Sequence, residues 1–235
     1  MIICSVAAIP ADFLERMHER SLGVASALAR APAGEGALAL GWPTLDEALP
    51  DGGLPRGVVE LRAPRALGCA TSIAIAAVRA AQRKSPKAWA AWVDAEASLY
   101  APGLAQRGVD LARLVVVRPE REDLARVATK AVASCAFDVV VVDADAVGGD
   151  ARVGRRTRRV DALFVRRLAL GAERAGATVL LISDALAPRR EPWPVALRLE
   201  LARDATDDAV VVRIGKERHG RLGGGARAAL AEGRG

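Results

Sequence analysis

From Gly57 onward the chain alternates short, almost wholly apolar runs with longer stretches in which apolar residues return every three or four positions. The runs are Gly57 to Leu61, Trp89 to Asp94, Leu114 to Val117, Asp138 to Asp143 and Thr178 to Ser183. The helically spaced stretches are Thr71 to Lys84, Ala101 to Arg107, Arg121 to Ser134 and Asp161 to Ala175. A strand that is apolar on both sides has both faces covered, so this alternation predicts βαβ crossovers and a mainly parallel sheet flanked by helices. Two later strands, Ala196 to Leu201 and Val210 to Ile214, are joined by the polar turn Arg203 to Asp208 and predict a hairpin extending that sheet. Upstream, Pro10 suits a first helical turn and Phe13, Leu14 and Met17 share one face, which predicts a helix as far as Arg30, then a linker from Ala31 to Gly36. The expected organisation is a helix and linker over 1–36, an α/β core over 37–222 and a mobile Gly-, Ala- and Arg-rich tail over 223–235.

With 235 residues, 51% of them hydrophobic and 26% charged, the chain can bury a core and is not a wholly disordered one. Aromatic residues are only 3%, so the core must be built from Ala, Val and Leu, which suits helices packed closely on a buried sheet. The uncharged stretch from Ala66 to Val78 falls short of the roughly 20 apolar residues of a bilayer span, and the amino terminus lacks the basic lead-in of a signal peptide. A cytoplasmic protein without membrane contact is expected. Cys4, Cys69 and Cys135 are far apart and form no Cys-x-x-Cys pair, and His18 and His219 are isolated, which argues against disulfides and a metal site. Cys69, at the start of a predicted helix, is either an activated thiol or a buried structural one.

The formal charge is +6, and its placement says more than its total. Arg152, Arg155, Arg156, Arg158, Arg159, Arg166 and Arg167 stand against the single acid Asp161. Potentials of neighbouring guanidinium groups add within a Debye length, so such a cluster attracts phosphate or an acidic protein surface. Only four of the 34 basic residues are lysines, and a solvated helix face in an arginine-rich chain explains the run equally well.

The first predicted strand leads into Ala63-Pro64-Arg65-Ala66-Leu67-Gly68-Cys69-Ala70-Thr71 and then a helix, the place of a phosphate loop in a βα unit. A working loop reads G-x-x-x-x-G-K-[ST]: its N–H groups cradle phosphates, its lysine neutralises them and its hydroxyl holds Mg²⁺. Here Gly68 is kept, but Ala63 stands for the first glycine, Cys69 for the lysine and Ala70 for the hydroxyl residue. Thr71 comes one position late, a helical rotation of about 100°. The acidic half of such a site is better kept, with Asp143 closing a valine run and Glu96 following Asp94 at another strand end. Acids in such places also serve as helix caps and loop ligands.

Thr44-Leu45-Asp46-Glu47-Ala48-Leu49 with Gly52-Gly53-Leu54-Pro55-Arg56-Gly57-Val58-Val59-Glu60 resembles the opening of the RecA recombinase core. Val93-Asp94-Ala95-Glu96, followed by Arg107-Gly108-Val109-Asp110 and Leu114, resembles its next block, and the likeness runs in order over residues 38 to 220. It implies a RecA-like phosphate-loop core, with Glu96 in place of the water-activating glutamate and Asp143 in place of the acid that holds Mg²⁺. Lys216-Glu217-Arg218 is similar to the K-x-K pair that reaches a neighbour's nucleotide. The family's adenine-stacking tyrosine falls on Gly103, and no counterpart of its separate carboxy-terminal domain is expected. Its DNA-binding loops correspond to the arginine-rich segment after Asp143 and to Ala185 to Val195, which holds Arg189, Arg190 and Trp193. Trp193, between Pro192 and Pro194, either stacks on exposed bases or anchors its loop by burial.

The L-P-D-G-G-L-P-R-G opening, Leu49 to Gly57, and the eroded loop are most similar to the ImuA, or SulA-like, family. That family's members accompany ImuB, a Y-family polymerase homologue, and an error-prone DNA polymerase in SOS mutagenesis. The resemblance implies a non-catalytic accessory protein of translesion synthesis that needs no cofactor, with ImuB, RecA and DNA as candidate contacts and self-association left open. The other readings are an active RecA-type ATPase, in which Arg62 or Arg65 replaces the lysine, and a simple DNA-binding protein whose affinity collapses with salt.

Overall fold

Val139 to Val142 form all but the last residue of a strand, β4 (Val139–Asp143), in which each of these valines is buried. The computed structural model describes residues 15, 36–64, 69–144, 161–187, 192–204, 206–221 and 224–234; the expected N-terminal helix, save Glu15, and residues 145–160 lie outside them. The other strands are β1 (Gly57–Ala63), β2 (Ala90–Val93), β3 (Leu114–Val117), β5 (Thr178–Asp184), β6 (Leu197–Asp204), β7 (Ala209–Glu217) and β8 (Gly225–Ala229). They form one sheet of eight strands in the order β3-β2-β4-β5-β1-β6-β7-β8. From β3 to β6 in that order neighbours pair in parallel, and β7 and β8 add an antiparallel edge. The expected α/β architecture is observed.

The helices are α1 (Pro43–Ala48), α2 (Cys69–Lys84), α3 (Ala101–Gln106), α4 (Leu124–Ala133) and α5 (Ala162–Ala175). Because side chains alternate along a strand, Val139 and Val141 pack into the layer with α2, while Val140 and Val142 pack into the layer with α4 and α5. The α2 layer contains Ala70, Ala74, Ala77 and Ala81, all buried; small side chains let the helix lie close on the sheet, as the aromatic-poor composition requires. Helix α5 starts where the Asp161 carboxylate accepts the Phe164 N–H at 2.7 Å, and it stops at Gly176, whose φ of 61° satisfies the left-handed cap.

The segment before the sheet is fixed by one side chain. The Asp46 carboxylate accepts the N–H groups of Leu40, Gly41 and Trp42 at 2.8, 2.9 and 3.1 Å, which seats the buried Leu40 and Trp42.

The largest departure from the sequence reading is the carboxy-terminal end. Gly225–Ala229, expected to be mobile, is the edge strand β8, and Ala228 and Leu230 are buried. Gly233 lies so close to the Trp42 ring that a Cβ there would come within 2.8 Å of it. Gly, Ala and Arg have little intrinsic preference for a strand, so order here comes from pairing with β7 and from covering Trp42 and Ile214, which local composition does not display. Among the described residues no helix is long and apolar enough to cross a membrane.

Candidate functional site

The carboxyl ends of β1, β2, β4 and β5 point to the edge where ligands of parallel α/β sheets collect. Ala63 closes β1 and is buried, and Cys69 opens α2; Gly68 and the rest of the connecting loop, Arg65 included, lie outside the described residues. Cys69 is 1% exposed, and burial pushes its thiol pKa upward against a smaller opposing effect of Arg203. The side chain in the lysine's position is therefore an uncharged thiol in the core, which resolves the alternative of an activated cysteine. Ala70 is buried as well.

Thr71 is exposed and, with Asp143, lines a cleft of about 410 Å³. The structure thus brings together the late hydroxyl and the strand-end acid of the sequence reading. It does not bring Glu96 to them: that residue is absent from the cleft wall, and its Oε2 accepts from Arg121 Nη2 at 2.6 Å. Asp94, 1% exposed, accepts the N–H groups of Ser98 and Leu99, each at 3.0 Å, and lies 3.6 Å from Arg118. Asp94 thus holds the loop that follows β2, and Glu96 ties that loop to the turn carrying Arg121.

Gly103, at the place of the family's tyrosine, also lines the cleft, and beside it stands Tyr100, the chain's one tyrosine, 69% exposed. A Cβ on Gly103 would sit 3.1 Å from the Tyr100 ring, so the glycine leaves room for that ring. An aromatic surface is thus present at the cleft mouth, carried three residues before the expected position. Reading position 103 alone misses it; the spacing of 3 on a helical turn is the signal that finds it.

The basic candidates separate into inward and outward ones. Lys216 donates to the Trp193 carbonyl at 2.8 Å and Arg218 to the Arg56 carbonyl at 2.9 Å, so both tie β7 to neighbouring loops of the same chain. Trp193 is buried, 8% exposed, and anchors its loop; of the two roles considered for it, the structure shows this one. Arg62, considered as a substitute cation, donates to the Ala185 carbonyl at 2.8 Å. Arg166 and Arg167 are exposed on α5. Arg152, Arg155, Arg156, Arg158, Arg159, Arg189 and Arg190 lie outside the described residues.

The comparisons with known proteins agree with this architecture. The model of the RecA N-terminal domain matches residues 26–157. The chain is 33% identical over 153 residues to Protein RecA of Picosynechococcus sp., covering 60% of this chain and 42% of that one. It is 34% identical over 184 residues to Protein RecA of Acidothermus cellulolyticus, covering 73% of this chain and 52% of that one. The chain belongs to the RecA N-terminal domain family. It spans about half the length of the curated relatives it matches.

As a donor set for a magnesium triphosphate, the described residues do not fit. The lysine position carries a buried neutral thiol, the hydroxyl position a buried alanine, and the water-activating position a carboxylate neutralised by Arg121. Asp143 and Thr71 are the oxygen-bearing side chains of that set which line the cleft, and neither replaces the positive charge that a phosphate loop presents to a triphosphate.

Proposed function

We propose that this chain is a non-catalytic RecA-like accessory protein of damage-induced mutagenesis, of the ImuA type, acting through contacts with an ImuB-like polymerase homologue, with RecA, and with DNA. The observation that carries this reading is the state of Cys69: a neutral, buried side chain occupies the position from which a phosphate loop presents its cation. Loss of that cation removes phosphate affinity while the strands that define the fold remain intact. What is left to work with is surface. Exposed Arg166 and Arg167 continue the arginine-rich segment onto α5 and support contact with an acidic protein face or with phosphates.

The test is binding between purified partners. The chain is mixed with an ImuB-type protein, with RecA filaments and with single-stranded DNA, each with and without nuclease. Retention of ImuB or RecA that survives nuclease supports the accessory role. Retention of DNA alone, abolished by charge reversal at Arg155, Arg156, Arg158 and Arg159, supports the simple DNA-binding reading.

An active RecA-type ATPase is the second reading, and the meeting of Thr71, Asp143 and Tyr100 around one cleft is the observation in its favour. It requires Mg²⁺-dependent hydrolysis that is lost in Glu96→Gln.

A further inference from the structure

Four charged side chains are buried among the described residues: Glu60, Arg79, Asp94 and Glu217. Three of them face an arginine: Glu60 lies 2.7 Å from Arg198, Asp94 3.6 Å from Arg118 and Glu217 3.3 Å from Arg221. Arg79 does not follow this rule. It is 1% exposed, and among the described residues its one hydrogen bond runs from Nη1 to the Arg107 carbonyl, a long 3.4 Å. Its Nε and Nη2 are buried and have no acceptor. Those two atoms form one edge of the guanidinium, on which two N–H bonds point the same way and match two oxygens of a single oxyanion.

The surroundings sharpen the point. Thr71, Ile75 and Arg79 follow one another at four-residue spacing along one side of α2, and the first two line the cleft described above. Arg107 lines it too, and its own turn closes over Arg79: Gly108 has φ 77°, and a Cβ there would lie 3.4 Å from Arg79 Cδ. Burial, and then the positive charges of Arg83 and Arg107, hold the Arg79 pKa below its usual value, so the nearby charges add repulsion and no compensation. A guanidinium taken out of water without a counter-charge is strongly unfavourable; Arg79 is not itself on the cleft wall, but the carbonyl it reaches belongs to Arg107, which is.

We propose that Arg79 and Arg107 form an oxyanion site at the inner end of the cleft, separate from the phosphate loop, which takes the phosphate group of a small ligand on the Nε–Nη2 edge of Arg79. The ligand reaches it when the Arg107–Gly108 turn shifts outward. The source of the group is either free phosphate or a phosphomonoester, and the latter places its organic part toward Tyr100 at the mouth.

The experiment follows thermal unfolding of the purified full chain at constant ionic strength, with chloride replaced stepwise by inorganic phosphate or by phenyl phosphate. The wild type is expected to show a saturable rise in Tm, as a ligand of the native state produces, and direct titration calorimetry to give one site. Arg79→Met, which keeps the bulk and removes the fork, is expected to fold, to lose the rise, and to weaken phosphate binding at least about tenfold. Arg79→Lys keeps the charge and is expected to retain only part of the response. Tighter binding of phenyl phosphate than of phosphate assigns the site to an ester, and equal binding assigns it to the free ion. A wild-type Tm no higher in phosphate than in chloride, or a rise that persists in Arg79→Met, overturns the proposal. Should Arg79→Met fail to fold, Arg107→Ala decides: an unchanged phosphate affinity in that variant overturns it as well.

Discussion

Arg121 holds the Glu96 carboxylate at 2.6 Å, joining the end of β2 to the turn that precedes α4. Arg121 is 44% and Glu96 25% exposed, so the pair is a partly solvated one whose contribution to stability is small. Glu96→Gln is expected to change unfolding free energy by less than about 1 kcal/mol and to leave phosphate release from ATP at the background rate. Urea unfolding and a coupled phosphate assay check the two halves separately.

Glu60 is a different case, because it lies fully buried in the middle of β1. Its carboxylate accepts the Ser183 hydroxyl and the Arg198 Nε, each at 2.7 Å. Removing the acid leaves Arg198 with a charge in a largely dry place. Glu60→Ala is expected to cost about 3–5 kcal/mol, whereas the double replacement Glu60→Met with Arg198→Met is expected to recover most of that loss. Chemical denaturation of the three proteins gives the comparison.

The carboxy-terminal strand makes its own prediction. If β8 and the residues after it belong to the core, Leu230→Ala destabilises by about 2–5 kcal/mol, the cost of a truncated core leucine. A mobile tail would give a change within about 0.5 kcal/mol, as at an unconstrained surface position. The thermal midpoint of the variant distinguishes these outcomes.

Acid should weaken the link between the segment before β1 and the end of β7. Hydrogen bonding to Arg221 holds Asp51 below the usual carboxylate range. Burial alone would raise Glu217, but hydrogen bonds from the Arg221 side chain and from the N–H groups of Arg221 and His219 outweigh it and hold Glu217 low as well. A carboxylate whose folded pKa lies below its unfolded value stabilises the native state above the unfolded value, near 4, and loses that contribution as pH falls through the folded one. Stability is expected to fall below about pH 4, with a shallower slope in Arg221→Ala. Unfolding measured across pH 2 to 7 reads the slope.

The parallel strands β2, β3, β4 and β5 were legible because each is a largely continuous apolar run, and Leu114–Val117 is observed with its expected limits. The expected hairpin is observed, but Arg203 and Asp204, read as part of its turn, extend β6 and pair with Val210 and Ala209. Helix α1, six residues long, is too short to show a period, and β8 has a composition that suggests nothing. At the site, residue identity was enough to show that the lysine is missing, but not that Cys69 is buried, nor that Glu96 is paired with Arg121. Those depend on distances between segments far apart in sequence. Lys216 and Arg218 looked like reaching cations because their inward partners, Trp193 and Arg56, are carbonyl groups that no side-chain pattern reveals.

The most direct test of the account is calorimetric titration of the purified chain with ATP and Mg²⁺, followed by measurement of ADP over hours. The account predicts no saturable Mg²⁺-dependent triphosphate binding and no turnover above background, in the wild type and in Asp143→Asn alike. Micromolar affinity that requires Mg²⁺, with steady ADP release abolished by Asp143→Asn, would contradict it.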